Sequence, residues 1–158
     1  MKKTLLIVFA LVVGLSLNAH AQATATGLME VRSKILKESQ EVKALLPDTK
    51  DVILVSSMLD SCILTTSQID AYLSQLGIFN TIKKENVTSA AIGFLEQWLN
   101  NVKSTNDLNI KSLGEITQNI QAKTKLHLER LTGYFTDLNT QIEQELAQLA
   151  ALKKALGI

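Results

Sequence analysis

The sequence predicts an all-α protein, an elongated up-down helical bundle of about four helices with a long C-terminal helix. Leu, Ile, Ala, Gln, Lys and Glu dominate the chain beyond residue 21, while aromatic residues make up only 4% of the whole. The dominant residues are mostly good helix formers that lose little side-chain freedom in a helix. Apolar residues recur at steps of three and four over long windows, which is the repeat of one helix face. No strand-length window shows the β-branched alternation of a half-buried strand. The breaks are few: a single proline, Pro47, and short polar stretches between the periodic segments.

The first 21 residues stand apart. Met1-Lys2-Lys3 is a short basic start, Leu5 to Leu17 is an unbroken run of low polarity, and Ala19-His20-Ala21 places small residues where a signal peptidase reads them. This is the layout of a secretory signal peptide, bacterial in style, cleaved after Ala21. The run is short for a membrane span, and no Cys sits at the cleavage point to carry a lipid. Residues 22–158 are expected to leave the cytoplasm, as a periplasmic or secreted protein, and to form one helical domain. Lys2 and Lys3 lie in the leader, so the remainder carries 14 basic against 15 acidic residues. That near-neutral, mixed balance argues against a nucleic-acid partner and against electrostatic attachment to anionic lipid.

Helix 1 is expected over about Gly27–Leu46, with Leu28, Val31, Ile35, Val42 and Leu45 on one face, interrupted by Glu38 and Ser39 and stopped by Pro47. Asp48 is the expected N-cap of helix 2. The stripe of helix 2 is Val52, Val55, Leu59, Cys62, Thr66, Ile69, Leu73 and Leu76, widened by Leu54, Met58 and Tyr72 to about half the circumference. Such a helix needs neighbours on two sides. Gly77 reads as its left-handed C-cap. Ile78 to Glu85 is a connector with room for one helical turn. Helix 3 follows over about Val87–Lys103, with Ala91, Leu95, Trp98 and Val102 on one face. Ser104-Thr105-Asn106-Asp107 reads as a polar loop.

Helix 4 is the longest signal. Ser112 and Glu115 have the spacing of a capping box. One stripe then runs to the C-terminus through Leu113, Ile116, Ile120, Leu128, Leu131, Phe135, Leu138, Ile142, Leu146, Leu149, Leu152 and Leu156. Unbroken, this helix would be roughly 65 Å long at 1.5 Å per residue, and Gly133 is the likeliest bend. A helix 3 of about seventeen residues could not cover that stripe. Phe135, Leu138, Ile142, Leu149 and Leu152 are therefore the expected interface, since an uncovered apolar stripe on a soluble protein marks a binding surface.

Reactive side chains are sparse. Beyond the leader there is one histidine, His127, and one cysteine, Cys62. A structural zinc needs four protein ligands and a catalytic one about three, and no paired motif supplies them, so no metal is expected. No C-x-x-C-H attachment motif is present, and the methionines offered as axial partners for His127, Met29 and Met58, give no reason to expect haem. Neither a G-x-S-x-G elbow nor a plausible Cys62–His127 dyad points to nucleophilic catalysis. Cys62 sits among Leu59, Ile63 and Ile69 and reads as a small buried hydrophobe. Catalytic, cofactor and metal residues are thus expected to be none. The expected function is an exported, non-enzymatic helical bundle, coiled-coil-like in its packing, that self-associates or binds a protein partner, a holdase-like role included. The alternative is a membrane-active helical protein, suggested by Val52 to Leu64 and weakened by Asp60. An enzyme is the third reading.

Overall fold

A computed structural model describes residues 25–49, 51–118 and 120–158. The leader expected over residues 1–21 lies outside them. Among the described residues there are four α-helices and no strand. We number them α1 (residues 25–45), α2 (Val52–Phe79), α3 (Ser89–Thr117) and α4 (Ala122–Leu156). The all-α expectation holds, with helix boundaries that differ in the second half of the chain.

Cross-helix bonds fix the arrangement. Arg32 pairs with Asp70, Ser61 with Asn109, Asn106 with Asn139, and His127 with Glu38. Each helix therefore runs antiparallel to the next, and α4 closes the ring against α1. Tyr72 reaches diagonally through the middle from α2 to Glu145 on α4. One core fills the centre, built from Leu28, Ile35, Val55, Cys62, Ile69, Leu95, Leu99, Leu113, Leu128, Phe135 and Ile142, among others. Glu38 and Ser39, which break the apolar pattern of α1, are buried with it.

Pro47 ends α1 as its chemistry requires, inside a 3-10 turn over Leu46–Asp48. Asp48 closes that turn and is not the N-cap of α2. Thr49 follows in extended backbone, and its hydroxyl donates to the Leu45 carbonyl at 2.8 Å. Asp51 occupies the N-cap position at φ 60, without a side-chain cap bond. This left-handed conformation is one that a short polar side chain such as Asp tolerates better than most. Gly77 lies inside α2, which continues to Phe79, and the left-handed glycine cap is instead Gly157 at the end of α4. A second 3-10 turn over Lys84–Asn86 fills the connector. Thr88 then caps α3, accepting from the Ala91 amide at 3.2 Å.

The main correction concerns residues 104–121. Ser104-Thr105-Asn106-Asp107 is not a loop but the middle of α3. Ser104 and Thr105 donate their hydroxyls back to the carbonyls of Asn100 and Asn101, so they leave the helix intact. Asn106 and Asn109 point into the bundle. Asn106 donates to the Phe135 carbonyl and to Asn139, and Asn109 donates to Thr65 while accepting from Ser61. These asparagines lock α3 against α4 and α2. Ser112 and Glu115 consequently sit inside α3 rather than capping a new helix. The chain reverses between the end of α3 at Thr117 and the start of α4 at Ala122, and α4 runs unbroken through Gly133.

Candidate interaction surface

The five residues expected as an interface lie inside the bundle. Phe135, Leu138 and Ile142 are 0% exposed and Leu149 is 4% exposed, while Leu152 is half-buried against the same core. The expectation assumed a short helix 3. With 29 residues, α3 is long enough to cover the stripe, and α1 and α2 complete the enclosure. The surface proposed from sequence is therefore not available in the folded monomer.

The polar chemistry is also inward and mutual. The His127 imidazole meets the Glu38 carboxylate at 2.6 Å through Nδ1, with Arg130 approaching the same oxygen at 3.6 Å. Cys62 is fully buried, and burial pushes its thiol from an ordinary 9.0 to about 12, an effect the Ser39 hydroxyl only partly offsets. The Tyr72 hydroxyl donates to Glu145 Oε1 at 2.7 Å. Burial raises both of their pKa values, and for Glu145 the bond from Tyr72 counteracts part of the rise. Glu145 Oε2 has no partner among the described residues. Burial works toward the neutral form of this carboxyl and the Tyr72 bond toward the charged one, with burial the larger effect. Among the described residues no three His, Cys, Asp or Glu side chains gather as metal ligands would. Met58 is buried and Met29 is surface-exposed at the start of α1.

Half of the large apolar residues exposed among the described residues lie on α2. Its buried residues are Val55, Met58, Leu59, Cys62, Thr65, Thr66, Ile69, Tyr72 and Leu76. At 3.6 residues per turn, the line opposite them runs Ile53, Ser57, Asp60, Leu64, Ser67, Ala71, Ser74, Ile78. Ile53 is 84% exposed, Leu64 55% and Ile78 58%, with Leu54 and Ile63 exposed beside them. Val52, which sequence periodicity placed on the inner stripe, is also exposed at the helix start. Among the described residues α2 is the one helix long and apolar enough to cross a membrane, and fewer than half of the residues in its most apolar stretch are buried. The signal in the sequence was the breadth of apolar residues around α2.

A shallow groove borders this face where α2 meets α3. It measures about 370 Å³ and is lined by Gln68, Phe94, Gln97, Trp98, Asn101 and Val102. Phe94 and Trp98 meet edge to face at 5.6 Å, and the Trp98 indole donates to the Gln68 carbonyl at 3.3 Å. Sequence periodicity placed Trp98 on the buried face of helix 3. It is instead half-buried at the edge, and Ile92 and Leu99 take the inner positions. Compared with known proteins, the chain matches no family model, and no curated protein or solved structure is similar enough to it to count as a match.

Proposed function

We propose that this is an exported, non-enzymatic helical-bundle protein that acts by binding protein, itself or a partner, through the outward face of α2. The observation that carries this reading is the set of apolar side chains exposed on a helix whose opposite side is already used by the core: Ile53, Leu64 and Ile78, with Leu54 and Ile63 beside them, interspersed with Ser57, Asp60, Ser67 and Ser74. Six of the twelve large apolar residues exposed among the described residues lie on α2, and apolar surface concentrated on one element is characteristic of interaction sites. The non-enzymatic part is supported by the engagement of His127 with Glu38 and the burial of Cys62. Export is supported by the leader-like pattern of residues 1–21.

A second reading, attachment to a bilayer, is favoured by the apolarity of α2. Asp60 in the middle of its open face and the absence of any Lys or Arg from Val52 to Ile82 weigh against it, because interfacial helices use basic residues to engage anionic headgroups. Sedimentation of the purified protein across a concentration series, with and without Leu64→Glu, tests the binding reading. Self-association or partner capture that Leu64→Glu removes supports it. Flotation with vesicles, lost in the same variant, would replace it with the membrane reading.

A further inference from the structure

We infer that the groove between α2 and α3 is a binding site for a neutral sugar, with a pyranose ring seated on Phe94 and Trp98 and its hydroxyls held by the side-chain amides of Gln68, Gln97 and Asn101. The groove lies at the edge where the two helices meet, and the inference stands whatever binds the outward face of α2. Its volume of about 370 Å³ falls within the ~300–1,000 Å³ of small-ligand sites, at the end suited to a mono- or disaccharide. One part of its lining is aromatic. Phe94 is 50% exposed and meets Trp98 edge to face, with the ring planes at 76°. The two rings therefore form a fixed corner, and Val102 adds an aliphatic patch beside it. Aromatic faces carry negative charge density, which attracts the weakly positive C–H bonds on the apolar side of a sugar ring.

The polar part of the lining selects the class of ligand. Gln68, Gln97 and Asn101 are all primary amides, each with donors and an acceptor and no charge. Hydroxyls, which both donate and accept, match such groups, whereas an ionic ligand finds no counter-charge. The charged residues nearby are turned to other helices. Glu96 pairs with Lys153 and Lys103 with Glu143, both on α4, and Asp70 pairs with Arg32 on α1. Gln68 gives the most specific pointer. Its Oε1 is buried and accepts no hydrogen bond among the described residues, a state that folded proteins rarely leave uncompensated. A ligand hydroxyl donating to that oxygen supplies the missing bond, while Gln97 and Asn101, both exposed, are free to turn toward the other hydroxyls. Proline-rich peptides also dock on aromatic grooves, but their carbonyls need donors. The donor fixed by the fold here, the Trp98 indole N–H, is already engaged by the Gln68 carbonyl. A shallow site without charge gives weak affinity, in the millimolar range.

Trp98 is the one tryptophan of the chain, so its emission reads the groove directly. Titration of the purified protein with cellobiose should change that emission along a saturating curve. Sorbitol, which has the hydroxyls but no ring to stack, should give no saturation. Gln97→Ala combined with Asn101→Ala should weaken cellobiose binding about tenfold, as expected for the loss of two hydrogen bonds. Both residues are exposed, so the helical circular dichroism should stay that of the parent. Phe94→Ala should remove saturable binding altogether. Gln68→Met, which keeps the bulk and removes the stranded oxygen, should lower affinity several-fold without loss of thermal stability. The reverse result, lower stability with unchanged affinity, would overturn the role of Gln68. No saturable response to cellobiose, or one that sorbitol matches, would overturn the sugar site. Binding kept in full by the Gln97→Ala, Asn101→Ala pair and by Phe94→Ala would place the sugar outside the groove. Saturation by a polyproline peptide and none by cellobiose would overturn the class of ligand.

Discussion

Two helices of this molecule carry apolar side chains along their length, and those side chains end up on opposite sides of its surface. The line on α4, from Leu128 to Leu149, is sealed, while the line on α2, from Ile53 to Ile78, faces outward. The difference follows from how apolar residues are distributed around each helix. α4 is one-sided: its outward positions include Lys125, Glu129, Asp137 and Glu143, so its single apolar face needs only the bundle to cover it. α2 carries two charges over its whole length, Asp60 and Asp70, and places large apolar residues on its outer side as well as its inner one, between serines and threonines. A four-helix bundle covers the inner part of each helix and no more, so the surplus on α2 stays exposed. A long stripe is thus poor evidence for an interface, whereas apolar residues around more of a helix than its neighbours can cover are better evidence.

The sharpest way to break this comparison is to place a charge on each line. Ile142→Glu should cost more than about 4 kcal/mol, because a carboxylate without a partner enters the core, and should leave the chain largely unfolded. Ile53→Glu should change the stability of the monomer by no more than about 0.5 kcal/mol, as for other surface changes. Urea denaturation followed by circular dichroism reads both. A gentler version uses the same residue type on the same helix. Leu59, 4% exposed, and Leu64, 55% exposed, lie on opposite faces of α2. Leu59→Ala should cost about 2–5 kcal/mol, the range for buried leucines, and Leu64→Ala much less at concentrations where the protein is monomeric.

The polar seam offers a smaller effect. Asn109→Ala should cost about 1–3 kcal/mol, because it removes the donor to the buried Thr65 hydroxyl, which keeps only its own bond to the Ser61 carbonyl, and removes the acceptor of Ser61. A change near zero in the same denaturation experiment would mean that residues 104–109 do not pack as an interior helix. The residues that misled the sequence reading are these asparagines. A run of Ser, Thr, Asn and Asp signals a loop when the partners that satisfy it cannot be seen, and here the partners are Ser61, Thr65, Phe135 and Asn139, each about 30 residues or more away in the chain. The stretch that joins α3 to α4 carries neither proline nor glycine. Its one trace in the sequence is the eight-residue step from Ile120 to Leu128, where Thr124 takes the inward place and meets Thr49. By contrast Pro47 and the inner stripes of α1 and α2 were legible, because a fixed φ and a 3.6-residue period act locally. The open face of α2 was half-legible: its breadth was visible, but which side would stay bare depended on the placement of α1, α3 and α4.

pH should discriminate the interior from the surface more subtly. Burial raises the pKa of Glu145 above its ordinary 4.5. A raised folded-state value gives stability that is complete below the unfolded pKa and is lost as pH rises through the folded one. Stability should therefore fall as pH climbs above about 4.5, and Glu145→Gln should flatten that fall while keeping an acceptor for Tyr72. A slope unchanged in Glu145→Gln would place the titrating group elsewhere. The smallest effect is kinetic: Cys62 should react slowly with thiol reagents in the native protein and quickly in denaturant, given its burial and its pKa of about 12. Rapid native labelling, counted by mass, would show that the middle of α2 opens.

The contrast between the two apolar lines is tested most directly by carbene footprinting of the dilute, folded protein, read residue by residue by mass spectrometry. Ile53, Leu64 and Ile78 should be heavily labelled, and Phe135, Leu138 and Ile142 should be protected until denaturant is added. Strong native labelling of Phe135 and Ile142, with α2 protected, would contradict the account and return the interaction surface to α4.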